Sequence, residues 1–214
     1  MAEDLSPLAR ASANDRRRRQ YAKEASTYDR EADRTERWLF GPEHRGWVCS
    51  RATGATLEVA IGTGLNLPNY PPNVRLTGLD LTPEMLALAR ERAVDLGIPV
   101  VLCEGDAQVL PFRDRAFETV VSTYAMCSVP DERRTILEMK RVLRPGGRLI
   151  LVDHVRSSVA PIFWVQRLME LAPSRHDNEL TRRPISHVLA AGFTIEATDR
   201  MRVGIIERLV ARKP

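Results

Sequence analysis

Two glycines one residue apart, Gly62 and Gly64, close the run Leu57-Glu58-Val59-Ala60-Ile61, and a carboxylate, Asp80, lies sixteen residues beyond Gly64. These residue types can hold a ligand in two ways. A glycine loop lets a ligand rest on bare backbone and admits the positive φ of a tight turn. A carboxylate at the tip of the next strand accepts hydrogen bonds from ribose hydroxyls and repels a 2′-phosphate. The chemistry to expect is therefore binding of a nucleoside. The full dinucleotide fingerprint is missing, because Ala60 stands where a first glycine would fall and no third glycine follows. A pyrophosphate needs close backbone approach at several points, and a cofactor without phosphates needs less. The sequence also lacks a Gly-x-x-x-x-Gly-Lys phosphate loop and a Gly-x-Ser-x-Gly nucleophile elbow.

Four ordered stretches carry a resemblance: Glu58-Val-Ala-Ile-Gly62-Thr-Gly64, Gly78-Leu-Asp80, Gly105-Asp106-Ala107 and Arg141-Val-Leu-Arg-Pro145-Gly146-Gly147. Together they resemble the class I S-adenosylmethionine-dependent methyltransferases, in the type 11 group, from about Leu57 to Val155. The departure is Ala60, the smallest replacement for glycine, which should narrow a pocket without closing it. The resemblance implies S-adenosyl-L-methionine as cofactor and S-adenosyl-L-homocysteine as product. It implies that Glu58, Ala60, Gly62 and Gly64 surround the donor, and that Asp80 and Leu81 meet its ribose. Met85, Gly105, Asp106 and Ala107 would meet the adenine, whose amino group suits an Asp acceptor. Thr123 and Tyr124, after the fourth strand, would line the donor or the acceptor, and Tyr28 would cover the donor from an N-terminal helix. Candidate acceptor contacts are Tyr21, Tyr124, His154, Trp164 and His176. His154 is the candidate general base, since an imidazole titrates near working pH. No metal is expected.

The elements that must position these residues follow from periodicity and punctuation. Strands are expected over about Thr56–Ile61, Val74–Leu79, Val100–Cys103, Phe117–Ser122 and Arg148–Val152, each a short apolar run. Pro145-Gly146-Gly147 reads as a turn into the fifth. Thr82 reads as the N-cap of a helix with Pro83 at its first position, running to Gly97. A second helix spans about Asp131 to Leu143. Tyr21, Ala25, Tyr28, Ala32, Thr35, Trp38 and Leu39 recur at helical spacing between Asp15 and Trp47. Arg16–Arg19 reads as a solvated helix start. Thr181 reads as the cap of a helix ending at Gly192, and two closing strands, Phe193–Thr198 and Val203–Ala211, read as a hairpin. The expected fold is α/β: a Rossmann-like, doubly wound, mostly parallel seven-stranded sheet with a C-terminal β-hairpin and an N-terminal helical lid. Residues 1–15 are expected to be flexible and 16–214 to form a single methyltransferase domain. Within it, 16–50 would be the lid and 156–192 a helical insert lining the acceptor side.

Charge and composition limit the partners. The net charge of +4 is uneven: 9 cations and 8 anions in residues 1–40, 7 and 10 in 41–129, 16 and 10 in 130–214. The basic last third could favour anionic substrates or an acidic membrane surface. No basic-aromatic cluster suggests nucleic acid. Cys49, Cys103 and Cys127 suggest neither a disulfide framework nor a zinc site. No apolar stretch approaches the roughly 18 residues that span a bilayer, the N-terminus is polar, and the cytoplasm is expected. The apolar segment Ile162-Phe-Trp164-Val, with Leu168, Met169 and Leu171, could line an acceptor pocket, pack in a homodimer or touch a membrane peripherally; a monomer is equally open.

The reading is a methyltransferase acting on a small-molecule amine or thiol, apolar or amphipathic, by in-line displacement at the sulfonium methyl. A phospholipid or quinone acceptor is the alternative. A dinucleotide-dependent oxidoreductase and a non-catalytic cofactor-binding protein are the rivals from other classes, since fold does not dictate function.

Overall fold

The structure is a computed structural model and describes residues 6–171 and 180–214. Seven strands form one sheet in the order β3-β2-β1-β4-β5-β7-β6. They are β1 (Ala55–Val59), β2 (Arg75–Asp80), β3 (Val100–Glu104), β4 (Phe117–Thr123), β5 (Leu143–His154), β6 (Thr194–Met201) and β7 (Ile206–Arg212). The first five pair in parallel, and β7 runs antiparallel between β5 and β6. Strand order therefore reverses between β1 and β4, and open α/β sheets bind ligands at the carboxyl ends of such strands.

The apolar runs are continuous because both faces of the sheet are covered. Leu57, Val59, Val120, Leu149 and Leu151 pack on one face against Ile136 and Met139 of α4 (Glu132–Val142) and Val188 of α6 (Pro184–Ala190). The neighbouring Val121, Ile150 and Val152 point the other way. There they join Val48 and Cys49 of α2 (His44–Cys49) and Leu86 and Ala93 of α3 (Pro83–Leu96). Alternation along a strand thus feeds two cores, and each fully buried aliphatic side chain contributes roughly 1.5–3 kcal/mol.

Several expectations need correction. The N-terminal helix α1 spans Pro7–Thr35, so residues 7–15 are helical; the Ser6 hydroxyl caps it by accepting from Ala9 N (3.2 Å), with proline in the first turn. A π-helical turn, Glu36–Phe40, follows and shifts the register. Trp38 and Leu39 consequently point to solvent instead of continuing the inward stripe. Pro145-Gly146-Gly147 does not precede β5 but lies within it, where the pairing with β4 slips between Phe117 and Thr119. Gly146 takes φ 74°, which makes this irregularity cheap. Thr82 sits at the N-cap of α3 without a side-chain cap bond, its hydroxyl turning to Asp80. Thr181 caps no helix: α6 starts at Pro184, and Thr181 donates from its backbone and hydroxyl to Glu170 (2.8 and 2.9 Å). In the insert, α5 covers Ala160–Glu170.

α1 adheres mostly through polar contacts. Ala13, Arg17 and Ala25 are its buried residues. Asp29 accepts from the Thr63 hydroxyl (2.6 Å) and pairs with Arg92 of α3. Arg18 pairs with Glu104 (3.1 Å). Little apolar burial holds this helix down, so it belongs to the low-stability part of the molecule.

Candidate active site

A cavity opens where β1, β2, β3 and β4 end, and α1 roofs it. The turn after β1 makes its floor. Ala60, Gly62 and Gly64 all have positive φ (58°, 58° and 80°). A Cβ on Gly62 would meet nothing within 4 Å, whereas one on Gly64 would strike Leu67 and the Ala89 backbone. Gly62 thus leaves the floor bare, and Gly64 allows the loop to seat on α3.

Asp80 closes the tip of β2. Its Oδ2 accepts from Gly62 N (2.8 Å) and its Oδ1 from Thr82 N (2.9 Å), which ties two turns together. The Thr82 hydroxyl and the Leu81 backbone also turn to this carboxylate, so a hydroxyl from a ligand would take the place of one of these contacts. Burial holds its pKa above the usual carboxylate range, against the pull of these backbone donors. On the next strand end, Asp106 Oδ1 accepts from Gln108 N (2.8 Å), and its Oδ2 takes the amide of Asn14 from the roof (2.7 Å). An amide N–H donor already sits where an amino group would donate.

Tyr21 and Tyr28 hang from α1 with ring centroids 6.3 Å apart, edge to face. Burial pushes the Tyr21 hydroxyl well up, and raises that of Tyr28 to about 12. Both are neutral near pH 7, and the Tyr21 hydroxyl hydrogen-bonds with Ser128. Burial likewise pushes the Cys127 thiol up, which removes it as a thiolate nucleophile. Tyr124 turns the chain after β4 with φ 54°, donating its N–H to Val152 O (2.8 Å). Asp153 Oδ1 accepts from Met126 N (3.1 Å) and fixes that loop.

Twelve of the residues singled out from sequence line this cavity: Tyr21, Tyr28, Ala60, Gly62, Asp80, Leu81, Met85, Gly105, Asp106, Ala107, Thr123 and Tyr124. Glu58 and Gly64 stand just behind the wall. Glu58 is buried and receives Asn66 Nδ2 (2.7 Å) and the Tyr70 hydroxyl (2.9 Å). Burial raises its pKa to about 7, although both donors oppose the shift. Asn66 also accepts from Arg45 (2.9 Å), which is paired with Glu36 below the roof helix. His154 lies outside the cavity lining: its ring packs on Phe40 (5.8 Å), which also packs on Tyr124 (5.1 Å). Trp164 is 68% exposed on α5, away from the cavity. His176 lies outside the described residues.

Sequence reasoning missed Asn14 and Arg17, which also line the cavity. The signal was the helical stripe itself. Positions 14, 17, 21 and 28 continue one face of α1 toward its N-terminus, and Arg17 is buried within a run read as solvated.

A parallel sheet covered on both faces, a bare turn after β1 and carboxylates on the next two strand ends define a class I, Rossmann-like methyltransferase fold. Residues 57–151 match the family described as methyltransferase domain. That family implies use of S-adenosylmethionine. Over 129 residues the chain is 40% identical to a phosphatidylethanolamine N-methyltransferase of Cereibacter sphaeroides, covering 59% of this chain and 62% of the relative. It is 37% identical over 119 residues to a demethylmenaquinone methyltransferase of Deinococcus radiodurans, covering 51% and 49%. The chain thus spans less than two thirds of each of these relatives. In fold it is similar to a SAM-dependent methyltransferase of Thermotoga maritima, with a TM-score of 0.69, 20% identity, and 91% and 98% of the two chains covered.

Proposed function

We propose that the protein binds S-adenosyl-L-methionine in this cavity and transfers its methyl group to a small-molecule amine or thiol of apolar or amphipathic character. The observation that carries the reading is the pair of carboxylates, Asp80 and Asp106, on adjacent strand tips beneath a roof that brings its own amide donor to Asp106. Asp80 takes ribose hydroxyls in exchange for the Thr82 hydroxyl. Asp106 exchanges the Asn14 amide for an adenine amino group. Gly62 lets the sugar and sulfur lie on bare backbone.

The donor arrives activated as a sulfonium, so the protein's part is to bind, align and exclude water. The roof helix does the last of these, with Tyr21 and Tyr28 facing inward. Positive charge disperses as the methyl moves from sulfur, and a dry aromatic cavity does not oppose that. His154, behind Phe40 and Tyr124, supports this wall. An amine acceptor that arrives neutral needs no base.

A phospholipid acceptor is the second reading, favoured by the similarity to a phosphatidylethanolamine N-methyltransferase. Thermal shift with S-adenosyl-L-methionine, S-adenosyl-L-homocysteine and NAD is the first test. Stabilisation by the first two and not the third is expected, because a ligand that binds only the folded state raises its stability. No response to either sulfur compound overturns the reading. Methyl-transfer assays with amines, thiols and dispersed phospholipid then separate the acceptors, and inactivity with all of them leaves a non-catalytic binder.

A further inference from the structure

α5 is built inside out. Its buried residue is a polar one, Gln166, whose amide nitrogen donates to Val155 O (3.0 Å) and Leu180 O (3.4 Å) while its oxygen accepts from Ser157 N (2.7 Å). These bonds fix the rotation of the helix. Its large apolar residues are thereby held outward: Val165 is 56% exposed, Leu168 70% and Leu171 72%, with Trp164 beside them. The spacing makes a helical stripe that faces solvent instead of the core. Val203, 54% exposed, extends the patch from the β6–β7 turn, where its carbonyl accepts from the Ser157 hydroxyl just before α5 (2.8 Å).

The rim of this patch is basic. Arg156 is exposed and lies 4.6 Å over the Phe163 ring. Arg202 is exposed in the turn beside Val203. Glu170, the acid of the helix, is already committed to Arg167 (2.7 Å) and Thr181. We propose that α5 and the β6–β7 turn dock the protein on an anionic lipid surface. A stripe of Trp, Leu and Val edged by arginines has the composition of an interfacial helix, and the arginines complement acidic headgroups. A second copy fits less well. A two-fold contact through this helix would set the arginine rims against each other. A helix of eleven residues is also only about 16 Å long, so one face of it is too small to bury by itself the roughly 800 Å² per partner of a stable interface. The inference deepens the proposed function, since an amphipathic acceptor partitions into such a surface, and it rests on that reading only for its purpose.

The test is flotation of the full chain with vesicles of phosphatidylcholine alone and of equimolar phosphatidylcholine and phosphatidylglycerol. Binding to the anionic vesicles that falls with salt is expected. Leu168→Glu with Leu171→Glu should lower partitioning by about tenfold or more. Arg202→Glu should lower it and flatten its salt dependence. Both variants should keep the thermal shift given by S-adenosyl-L-homocysteine, which shows that they fold. Failure to float with anionic vesicles overturns the proposal, as does unchanged flotation of the folded double variant. A lipid-free dimer that the double variant dissociates also overturns it and makes the occupant a second copy. Vesicle binding needs no turnover: a chain that floats but methylates nothing refutes the proposed function alone, and one that methylates soluble acceptors without floating refutes the docking alone.

Discussion

Replacing Asp80 with alanine separates two roles that the geometry combines. The carboxylate is 8% exposed and accepts from the backbone of Gly62 at 2.8 Å and of Thr82 at 2.9 Å. Its removal leaves two N–H groups without acceptors, each worth about 1–3 kcal/mol when buried. Water entering from the cavity offsets part of that loss, so about 2–4 kcal/mol is expected. For a domain of this size it lowers Tm by roughly 5–15 °C. Loss of the charged acceptor for ribose hydroxyls costs about 1–3 kcal/mol more in binding, a 5- to 150-fold rise in Kd. Chemical denaturation of the ligand-free protein reads the first quantity, and calorimetric titration with S-adenosyl-L-homocysteine reads the second. Asp80→Asn retains one acceptor oxygen and should fall between. A lower Tm with unchanged Kd would refute the reasoning: Asp80 would then be a brace for the turn and nothing more.

Other outcomes follow from the same structure. The Glu58 carboxyl is raised by burial from about 4.5 to about 7. The folded protein therefore holds a proton that the unfolded chain releases, and stability from this group is lost as pH rises from about 4.5 through 7, by on the order of 3 kcal/mol. Glu58→Gln should flatten that part of the stability–pH curve measured by urea denaturation, and an unchanged curve would assign the loss to other groups. Arg92→Ala removes the clasp on Asp29 and on the Thr63 carbonyl; stopped-flow release of S-adenosyl-L-homocysteine should quicken several-fold, with about 1 kcal/mol or less lost in stability. Ala60→Gly relieves a positive φ of 58° and should stabilise by about 1 kcal/mol, read as a raised Tm. His154 packs behind Phe40, outside the cavity lining, so His154→Ala should keep donor affinity and most of the turnover; turnover abolished with donor affinity kept would make the imidazole the general base.

The parts of the site legible in the sequence were those set by backbone. Gly62, Asp80 and Asp106 sit at strand ends, and strands announce themselves as apolar runs closed by turn formers. What stayed hidden depended on helix rotation and tertiary contact. The π-helical turn at Glu36–Phe40 has no local signature, so Trp38 was read as inward. Arg17 looked solvated because an arginine run is usually so; only the roof over the cavity buries it. Pro145-Gly146-Gly147 spells a turn locally, yet Lys213, just past β7, accepts from Gly146 N (2.8 Å) and donates to Gly147 O (2.9 Å), which keeps the segment within β5. The inward Gln166 reverses the polarity that an apolar helix suggests, and its three partners lie outside the helix in the segments on either side of it.

The place of β7 between β5 and β6 has a consequence for biosynthesis. Seven residues of β5, Arg148 to His154, await a neighbour that the ribosome makes more than fifty residues later. Until Ile206–Arg212 emerges, that flank of the growing sheet is an open template, and any other extended segment nearby competes for it. Truncations or slow codons ahead of β7 should therefore reveal themselves as aggregation of the nascent chain long before they register as lost catalysis.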